Sequence, residues 1–253
     1  MEMKPEQIIW SADVSFAELR EVIDHKALPE GTVIKLDRLF FEENDKSVIQ
    51  YCQENGYPVF ADAKIIEIPD KVVAIAKSYL RYKPWMLNVM AGACSSGILE
   101  HGNPKSDALV RFAQLCAEYG TKSCAVTVLT SKTEGVCIQE FNATPIEQVL
   151  NYVQLLKSCG FTDIVCSPLE TAEIRKNSDF DVLDINTPGV RLPESGTHDQ
   201  ARIMTPAEAL ANGANRLVIG RNLTDGEGEI VERIKRNYAR IIENIQDIWK
   251  LVL

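Results

Sequence analysis

The sequence predicts an α/β protein that folds as a single-domain (β/α)8 barrel, a TIM barrel, over residues 1–253. Eight short apolar runs recur along the chain, and a stretch with helical periodicity follows each of them. Each strand and helix together take about 32 residues, which suits an eight-unit barrel of this length. No Gly-rich dinucleotide loop follows the first run, which disfavours a doubly wound open sheet, the competing fold.

The eight apolar runs are the expected barrel strands. They lie near residues 8–14, 32–40, 58–66, 86–91, 123–130, 163–168, 181–190 and 216–223. Between the last two runs, "TPAEALANGAN" has Thr205 as the expected helix N-cap and Pro206 at the first helical position. Gly160 is expected just past the end of an earlier helix. Strands that alternate with helices predict a parallel sheet, whose chemically active residues should lie at the carboxyl ends of the strands.

Composition narrows the functional classes. The chain carries a net charge of −9, which argues against a surface that binds nucleic acid or an anionic membrane. The N-terminal "MEMKPEQ" lacks the apolar core of a signal peptide, and no apolar run is long enough to span a membrane. Seven cysteines without a CxxC pair are typical of reduced core residues. We therefore expect a cytoplasmic protein. If this acidic protein binds an anion, its positive charge must be concentrated at the binding site.

Four charged residues fall at the ends of the first three predicted strands. Asp62 and Lys64 are two residues apart in "VFADAKIIEIPD" and should share one strand face. Lys35 lies in the preceding run and Asp13 in the first one. A buried charge must be paired, so a structural ion pair inside the barrel is one interpretation. Two charges of each sign on three successive strands favour the other, a site in which carboxylates hold a cation against a ligand.

The last two runs lead into the loops that bind phosphate in many barrels. There, loop N–H groups and a helix N-terminus hold the anion. Arg221 follows Gly220 directly and could grip a phosphate with two hydrogen bonds, while glycine permits close backbone approach. Taken alone, Arg221 would be read as a solvated surface arginine. Its position near the end of the eighth run, with the loop that follows, favours a phosphate site.

Several motifs resemble those of the orotidine 5′-phosphate decarboxylase family. "DAKIIEIPDKV" is similar to its DxKxxDIPxTV signature, "ADVS" to its first strand and "VIKLDRLF" to its second. "AVTVLTS" resembles its fifth strand. The most specific likeness is "TPGVR…DQARIMTPAEALANGANRLVIGRNLT", and the whole resemblance runs from about residue 8 to 245. The DxKxxD element alone is weaker, since related phosphosugar decarboxylases and aldolases share it.

The resemblance implies decarboxylation of orotidine 5′-phosphate to uridine 5′-phosphate (UMP) in de novo pyrimidine biosynthesis, with no cofactor and no metal. Lys64 would donate the proton to C6 of the pyrimidine, and Asp62 would press against the substrate carboxylate and hold Lys64. Lys35 would belong to the same charged network. Glu67 matches a residue that family members supply to the partner's site across a homodimer interface.

The resemblance also implies a set of substrate-binding residues. Asp13 and Lys35 would contact the ribose, and Thr130 would meet the pyrimidine. The residues implied at the phosphate end are Arg191, Gln200, Gly220 and Arg221.

Four positions depart from the family pattern. Glu67 stands for an aspartate, Lys71 for a threonine and Met90 for a histidine, and Asp37 lies near the place of a usual glycine. An extra methylene at Glu67 moves the carboxylate by roughly 1.5 Å, and about 1 Å of misplacement can cost about 100-fold in rate. Two alternatives therefore stay open. One is a Mg-dependent phosphosugar decarboxylase or aldolase of the same barrel group. The other is a catalytically altered nucleotide-binding relative.

Overall fold

Eight parallel strands close into a barrel in a computed structural model that describes residues 3–93, 98–100, 103–192 and 204–252. The first strand pairs with both the second and the last, which closes the sheet. The barrel strands are β1 (Ile8–Ser11), β2 (Val33–Asp37), β3 (Val59–Ile65), β4 (Met86–Met90), β7 (Lys122–Val126), β8 (Asp163–Val165), β9 (Asp184–Thr187) and β10 (Arg216–Ile219). A separate antiparallel pair, β5 (Ile98–Glu100) and β6 (Asn103–Lys105), lies between β4 and β7 in the chain. The predicted (β/α)8 barrel is confirmed.

Helices follow each of the barrel strands, and the last two come after β10. They are α1 (Phe16–Asp24), α2 (Arg38–Glu43), α3 (Val48–Glu54), α4 (Pro69–Leu80), α5 (Asp107–Glu118), α6 (Glu134–Phe141), α7 (Pro145–Ser158), α8 (Pro168–Ile174), α9 (Pro206–Ala211), α10 (Arg221–Thr224) and α11 (Ile230–Val252). As predicted, Thr205 caps α9 and Pro206 is its first residue. Gly160 has a positive φ of 80° just past α7, the left-handed conformation expected of it. Within the described residues, no helix combines the length and apolar composition that crossing a membrane requires.

The predicted strands are too long, chiefly at their carboxyl ends. The second was expected to reach residue 40, but β2 ends at Asp37 and α2 begins at Arg38. The eighth was expected to include Gly220 and Arg221, which instead cap and begin α10. The reason in the second case is a helix cap: the Asp37 carboxylate accepts a hydrogen bond from the Phe40 backbone N–H at 2.9 Å. An apolar run therefore continues into the next helix after the strand ladder has ended.

Apolar side chains fill the barrel and separate it from its helices. Inside the barrel lies a small cluster made of Ile9, Val33, Phe60, Met86, Cys124 and Val218. A much larger cluster packs the outer strand faces against the helices. Six of the seven cysteines are buried and form no disulfide, as predicted: Cys52, Cys116, Cys124, Cys137, Cys159 and Cys166. Cys94 lies outside the described residues.

A network of ion pairs lies at the amino-terminal end of the barrel. Arg216, the first residue of β10, donates to Asp163 at 2.8 Å and to Asp184 at 2.6 Å. Lys122 lies 3.6 Å from both carboxylates. The Arg216 guanidinium also covers the Trp85 ring, 5.1 Å from its centroid. Because this end of a TIM barrel is remote from its active site, we interpret the network as structural.

Replacing Arg216 with methionine should destabilise the fold without changing the site at the other end. Of its two cationic partners, the fully buried Asp163 would keep only Lys122, at 3.6 Å, and breaking a buried ion pair costs about 3–5 kcal/mol. Urea unfolding measures the loss. Lys176→Met is the control, because Lys176 pairs with Glu173 on an exposed surface and should change stability by less than about 1 kcal/mol. Equal losses in the two variants would contradict the structural role of Arg216.

Candidate active site

Eight of the ten predicted site residues line one cavity at the carboxyl ends of the barrel strands. They are Asp13, Lys35, Asp62, Lys64, Thr130, Arg191, Gly220 and Arg221. Glu67 lies outside this cavity, and Gln200 falls outside the described residues. Strand ends distant in the chain converge here because the barrel is closed and all its strands run in one direction.

A buried carboxylate with two lysines forms the centre of the cavity. One oxygen of Asp62, Oδ2, accepts from Lys35 Nζ at 2.7 Å and from Lys64 Nζ at 2.6 Å. The other, Oδ1, accepts from Asn88 Nδ2 at 2.6 Å. Asp62 is only 4% exposed, so these donors replace the water that its charge has lost. The expected grouping of Lys35 with Asp62 and Lys64 is therefore present.

The two lysines differ in their access to the cavity. The Lys35 side chain is 12% exposed, whereas the Lys64 side chain is 43% exposed. The expectation that β3 buries both Asp62 and Lys64 was thus wrong for Lys64. Because the Lys35 ammonium is buried and the Lys64 ammonium is accessible, the two suit different roles. Lys35 neutralises Asp62, and Lys64 can contact a ligand.

A bulge in β3 explains how Lys64 reaches the cavity. Between β3 and β4 the register shifts, since Ala61 pairs with Leu87 but Ile65 pairs with Val89. Lys64 lies in the shifted part with a φ of 44°, which is uncommon for a residue other than glycine. Bulges in sheets re-aim side chains, often beside active sites. The strand therefore directs Lys64 towards Asp62 and the open cavity.

Burial and charge set the protonation states of this group. Burial alone would lower the pKa of Lys35, but the Asp62 carboxylate more than offsets it, so the pKa of Lys35 lies above its ordinary value. Burial would raise the pKa of Asp62, but Lys35 and Lys64 hold it well below the usual range. At neutral pH the site therefore contains an ionised Asp62 and a protonated Lys35.

Two arginines occupy another part of the cavity wall. Arg191 is 7% exposed and its Nη1 donates to Asn222 Oδ1 at 3.0 Å, which ties the loop after β9 to α10. Arg221 begins α10 directly after Gly220. A methyl group at Gly220 would be in ordinary contact with Ser11 Cβ at 3.4 Å and Asp13 Oδ2 at 3.6 Å, so it would occupy space that glycine leaves to a ligand. The pair of guanidinium groups suits an anionic ligand group.

The remaining wall combines one carboxylate with apolar side chains. Asp13 is exposed to the cavity and accepts from Ser11 Oγ at 3.3 Å. Thr130 lies in the turn after β7. The apolar lining comes from Phe60, Val126, Val128, Val165 and Val218, among others. Such a surface suits a flat, uncharged ring between the two charged regions.

The cavity has the opposite charge to the protein. Among the described residues, its lining holds four cationic side chains, Lys35, Lys64, Arg191 and Arg221, against the two carboxylates of Asp13 and Asp62, a net charge of +2. The chain as a whole carries −9. Positive charge is concentrated here, as an anion-binding acidic protein requires.

Glu67 projects from the loop between β3 and α4, beside the cavity. Its Oε2 accepts from the Ile68 backbone N–H at 3.2 Å, and its side chain is exposed. It lines a neighbouring surface hollow together with Arg38, Lys64 and Ile66. Within one copy of the chain, the described contacts of Glu67 do not include Asp62 or Lys35.

Two asparagines of the site were not predicted from the sequence. Asn88 holds Asp62 from β4, and Asn222 holds Arg191 from α10. The available signal was a polar amide inside "MLNVM", an otherwise apolar run, because a buried amide requires hydrogen-bonding partners. Asn222 follows Arg221 in a helical turn and carries no such signal.

Comparison with known proteins identifies the family. A sequence model of the orotidine 5′-phosphate decarboxylase / HUMPS family matches residues 6–236. The chain belongs to this family. A relative from Fusobacterium nucleatum, named orotidine 5′-phosphate decarboxylase, is 33% identical over 227 residues, which cover 89% of this chain and 91% of the relative. One of the same name from Actinobacillus succinogenes is 33% identical and covers 82% of this chain and 87% of its own.

A solved structure has the same fold. The crystal structure of orotidine 5′-phosphate decarboxylase from Lactobacillus acidophilus matches with a TM-score of 0.73 and 24% identity, covering 94% of this chain and 98% of that one. At this identity the likeness concerns the fold.

None of the four residues that depart from the family pattern donates a hydrogen bond to Asp62 within the described residues. Asp37 caps α2, which explains an aspartate at that place. Lys71 is exposed on α4, and Met90 is half-buried at the end of β4. Glu67 is exposed as well. Of the residues that contact Asp62 directly, Lys35 and Lys64 both match the family pattern.

Replacing Asp62 with asparagine should destabilise the protein in a pH-dependent way. The pKa of Lys35 is raised in the wild type, so its stabilising contribution is present below about pH 10.4 and is lost as the pH rises through its folded-state pKa. Without the Asp62 carboxylate, burial would lower the pKa of Lys35. The cost of burying its ammonium would then disappear as the pH rises, because Lys35 would lose its proton. We expect a loss of about 3–5 kcal/mol near pH 7 that shrinks towards pH 10.

Urea unfolding of wild type and Asp62→Asn at several pH values measures this difference. Glu140→Asn is the control, since Glu140 pairs with Lys132 at a more exposed position. A difference for Asp62→Asn that stays constant with pH would show that Lys35 does not depend on Asp62.

Proposed function

We propose that this protein decarboxylates orotidine 5′-phosphate to UMP without a cofactor, a step of pyrimidine biosynthesis. The observation that carries the proposal is the contact of Lys64 and Lys35 with the buried Asp62, in a cavity that also holds Arg191 and Arg221. The names of the similar proteins from other bacteria support the same substrate. The buried cysteines, which form no disulfide within the described residues, suit a cytoplasmic setting.

Lys64 is the proposed proton donor. When the bond between C6 and the carboxylate breaks, its electron pair stays on C6, carbon dioxide leaves, and the proton of Lys64 Nζ moves to C6. The carbanion at C6 has little delocalisation, so the protein itself must stabilise the developing charge by more than about 20 kcal/mol. An ammonium beside C6 stabilises the anion and then protonates it.

Asp62 and Lys35 prepare the site for this step. Asp62 fixes the Lys64 ammonium and lies next to the departing carboxylate, and its charge disfavours the bound ground state. Lys35 compensates Asp62 from the buried side, so that Asp62 stays ionised. The lysine proton then goes to carbon, because the strongly acidic Asp62 has little tendency to accept it.

The substrate would lie across the cavity. We assign its phosphate to Arg191, Gly220 and Arg221, and its ribose to Asp13 and Lys35. Gln200, outside the described residues, stays an expected phosphate contact. Thr130 would meet the pyrimidine. Phosphate binding far from C6 raises the rate when its binding energy is expressed in the transition state.

A Mg-dependent decarboxylase or aldolase of the same barrel group is the second candidate. It needs carboxylate oxygens that are free to bind the ion. Here the two oxygens of Asp62 accept from three donors, and no group of three or more potential metal ligands occurs within the described residues. This arrangement favours the metal-independent reaction.

We further propose that the protein is a homodimer in which Glu67 reaches the partner's site. The loop that carries Glu67 exposes Ile66 at 60% and Ile68 at 54%, and nearby Leu39 is 65% exposed. Large apolar side chains grouped beside a site suit an interface, and twofold dimers are the commonest assembly. The Glu67 carboxylate would then contact the ribose bound by the other copy.

The proposed activity is tested by the loss of orotidine 5′-phosphate absorbance, with and without EDTA. We expect activity that EDTA does not reduce. Lys64→Ala should lower kcat by at least about 1,000-fold, since the charge stabiliser and the acid are lost together. Lys176→Ala, on an exposed surface, is the control and should keep full activity.

Each alternative has its own outcome in this assay. Activity abolished by EDTA would favour the metal-dependent reaction. Binding of UMP without turnover would favour the catalytically altered relative. Turnover of Lys64→Ala within about tenfold of wild type would refute Lys64 as the proton donor.

The contribution of Glu67 across the interface is tested by mixing two inactive variants. Lys64→Ala and Glu67→Ala homodimers each lack one of the two groups at every site. After mixed refolding, a hybrid has one site with both substitutions and one intact site, so about a quarter of wild-type activity should return. Lys64→Ala mixed with Lys64→Arg is the control and should not recover. No recovery in the first mixture would show that Glu67 acts within its own chain, or not at all.

A further inference from the structure

Asn88 lies at the centre of β4 and is fully buried behind the charged centre. Its side chain makes two short hydrogen bonds to β3. Oδ1 accepts from the backbone N–H of Lys64 at 2.7 Å, and Nδ2 donates to Asp62 Oδ1 at 2.6 Å. One amide group thus contacts both the backbone of the proposed proton donor and the carboxylate that holds its ammonium.

The amide stands where the sheet is interrupted. The pairing between β3 and β4 passes from Ala61–Leu87 to Ile65–Val89, so β3 has more residues than β4 in this interval. The Lys64 backbone has left-handed geometry there, and the Asn88 side chain accepts the hydrogen bond of its N–H. Such geometry in a lysine persists only where the surroundings hold it.

An uncharged amide satisfies both neighbours, because it carries an acceptor and a donor on one side chain. The backbone N–H of Lys64 requires an acceptor, and the Asp62 carboxylate, ionised and already bound to two ammonium groups, requires a donor. This pair of demands also fixes which end of the Asn88 side chain is oxygen and which is nitrogen. Leucine offers neither group, and aspartate offers the acceptor but lacks the donor unless it is protonated.

We propose that Asn88 is a positioning residue that aligns Lys64 and Asp62 for proton transfer. It holds the bulge that aims Lys64 and fixes the orientation of the Asp62 carboxylate at the same time. The proposal rests on the proposed decarboxylation. With Asn88, the proposed site has a fourth group beside Lys35, Lys64 and Asp62, and this group does not touch the substrate.

Replacing Asn88 with leucine should affect the chemical step more than binding. A shift of about 1 Å at the proton donor corresponds to about 100-fold in kcat. The dissociation constant of UMP should stay within about threefold, because Arg191 and Arg221 are unchanged. Hydrogen exchange of the Lys64 backbone amide should accelerate by at least about tenfold, since it loses its acceptor.

Asn186→Leu is the matched control. Asn186 is equally buried on β9 and also donates to a buried aspartate, Asp163, at 3.2 Å, but outside the cavity. Both variants should lower the melting temperature. We expect kcat and the Lys64 amide exchange to change only in Asn88→Leu. Equal kcat in the two variants at matched folded fractions would show that Asn88 is merely structural.

Asn88→Asp gives an independent test within one folded protein. At 2.6 Å from Asp62, the introduced carboxyl must share a proton with it or move away. The charged and titratable groups that face this pair are Lys35 and Lys64, with Asp13 and Asp37 near Lys35 and Cys124 beside Asn88 on β7. As the pH falls from about 8 to about 5, kcat relative to wild type should rise by at least about tenfold.

The outcomes separate this inference from the proposed function. A wild type that does not decarboxylate orotidine 5′-phosphate would refute the function, while Lys64 amide exchange would still report whether Asn88 holds the bulge. An active wild type with unchanged kcat in Asn88→Leu would refute the inference alone. A pH profile of Asn88→Asp parallel to wild type would refute it as well.

Discussion

A single buried carboxylate determines the construction of the site. Asp62 is almost inaccessible to water, and an ionised carboxylate in that position requires donors on all sides. The protein supplies them from three neighbouring strands: Lys35 from β2, Lys64 from β3 itself and Asn88 from β4. Each donor is held by its strand, so the geometry around Asp62 follows from the pairing of β2, β3 and β4.

The two ends of the barrel use buried charge differently. At the amino-terminal end, Arg216 and Lys122 neutralise Asp163 and Asp184, and the guanidinium is covered by Trp85. At the carboxyl-terminal end, Asp62 is neutralised too, but one of its two ammonium groups stays accessible. The difference arises from the bulge in β3, which turns Lys64 towards the cavity. Chemistry at this end therefore depends on an irregularity in the sheet, while the other end provides stability.

The sequence was sufficient for much of this structure, and the limits have physical reasons. The alternation of apolar runs with helical stretches predicted the barrel, and the charged residues in these runs predicted Lys35, Asp62 and Lys64 as site residues. Both predictions rest on local sequence patterns. Strand ends were misplaced since helix caps such as Asp37 lie inside apolar runs. The bulge and the partners of Asn88 depend on register between strands, which one sequence does not reveal. The exposure of Lys64 follows from that bulge and was missed for the same reason.

The positions that depart from the family pattern and those that match it differ in how strongly the stability of the fold constrains them. A changed residue next to Asp62 would leave a buried charge with too few donors, which costs several kcal/mol. Glu67 and Lys71 face solvent in one copy of the chain, so substitution there leaves no buried group unpaired. Stability alone therefore constrains the charged centre strongly and constrains Glu67 weakly. If a longer carboxylate at Glu67 matters, it does so through the ligand and the partner copy, and not through the fold.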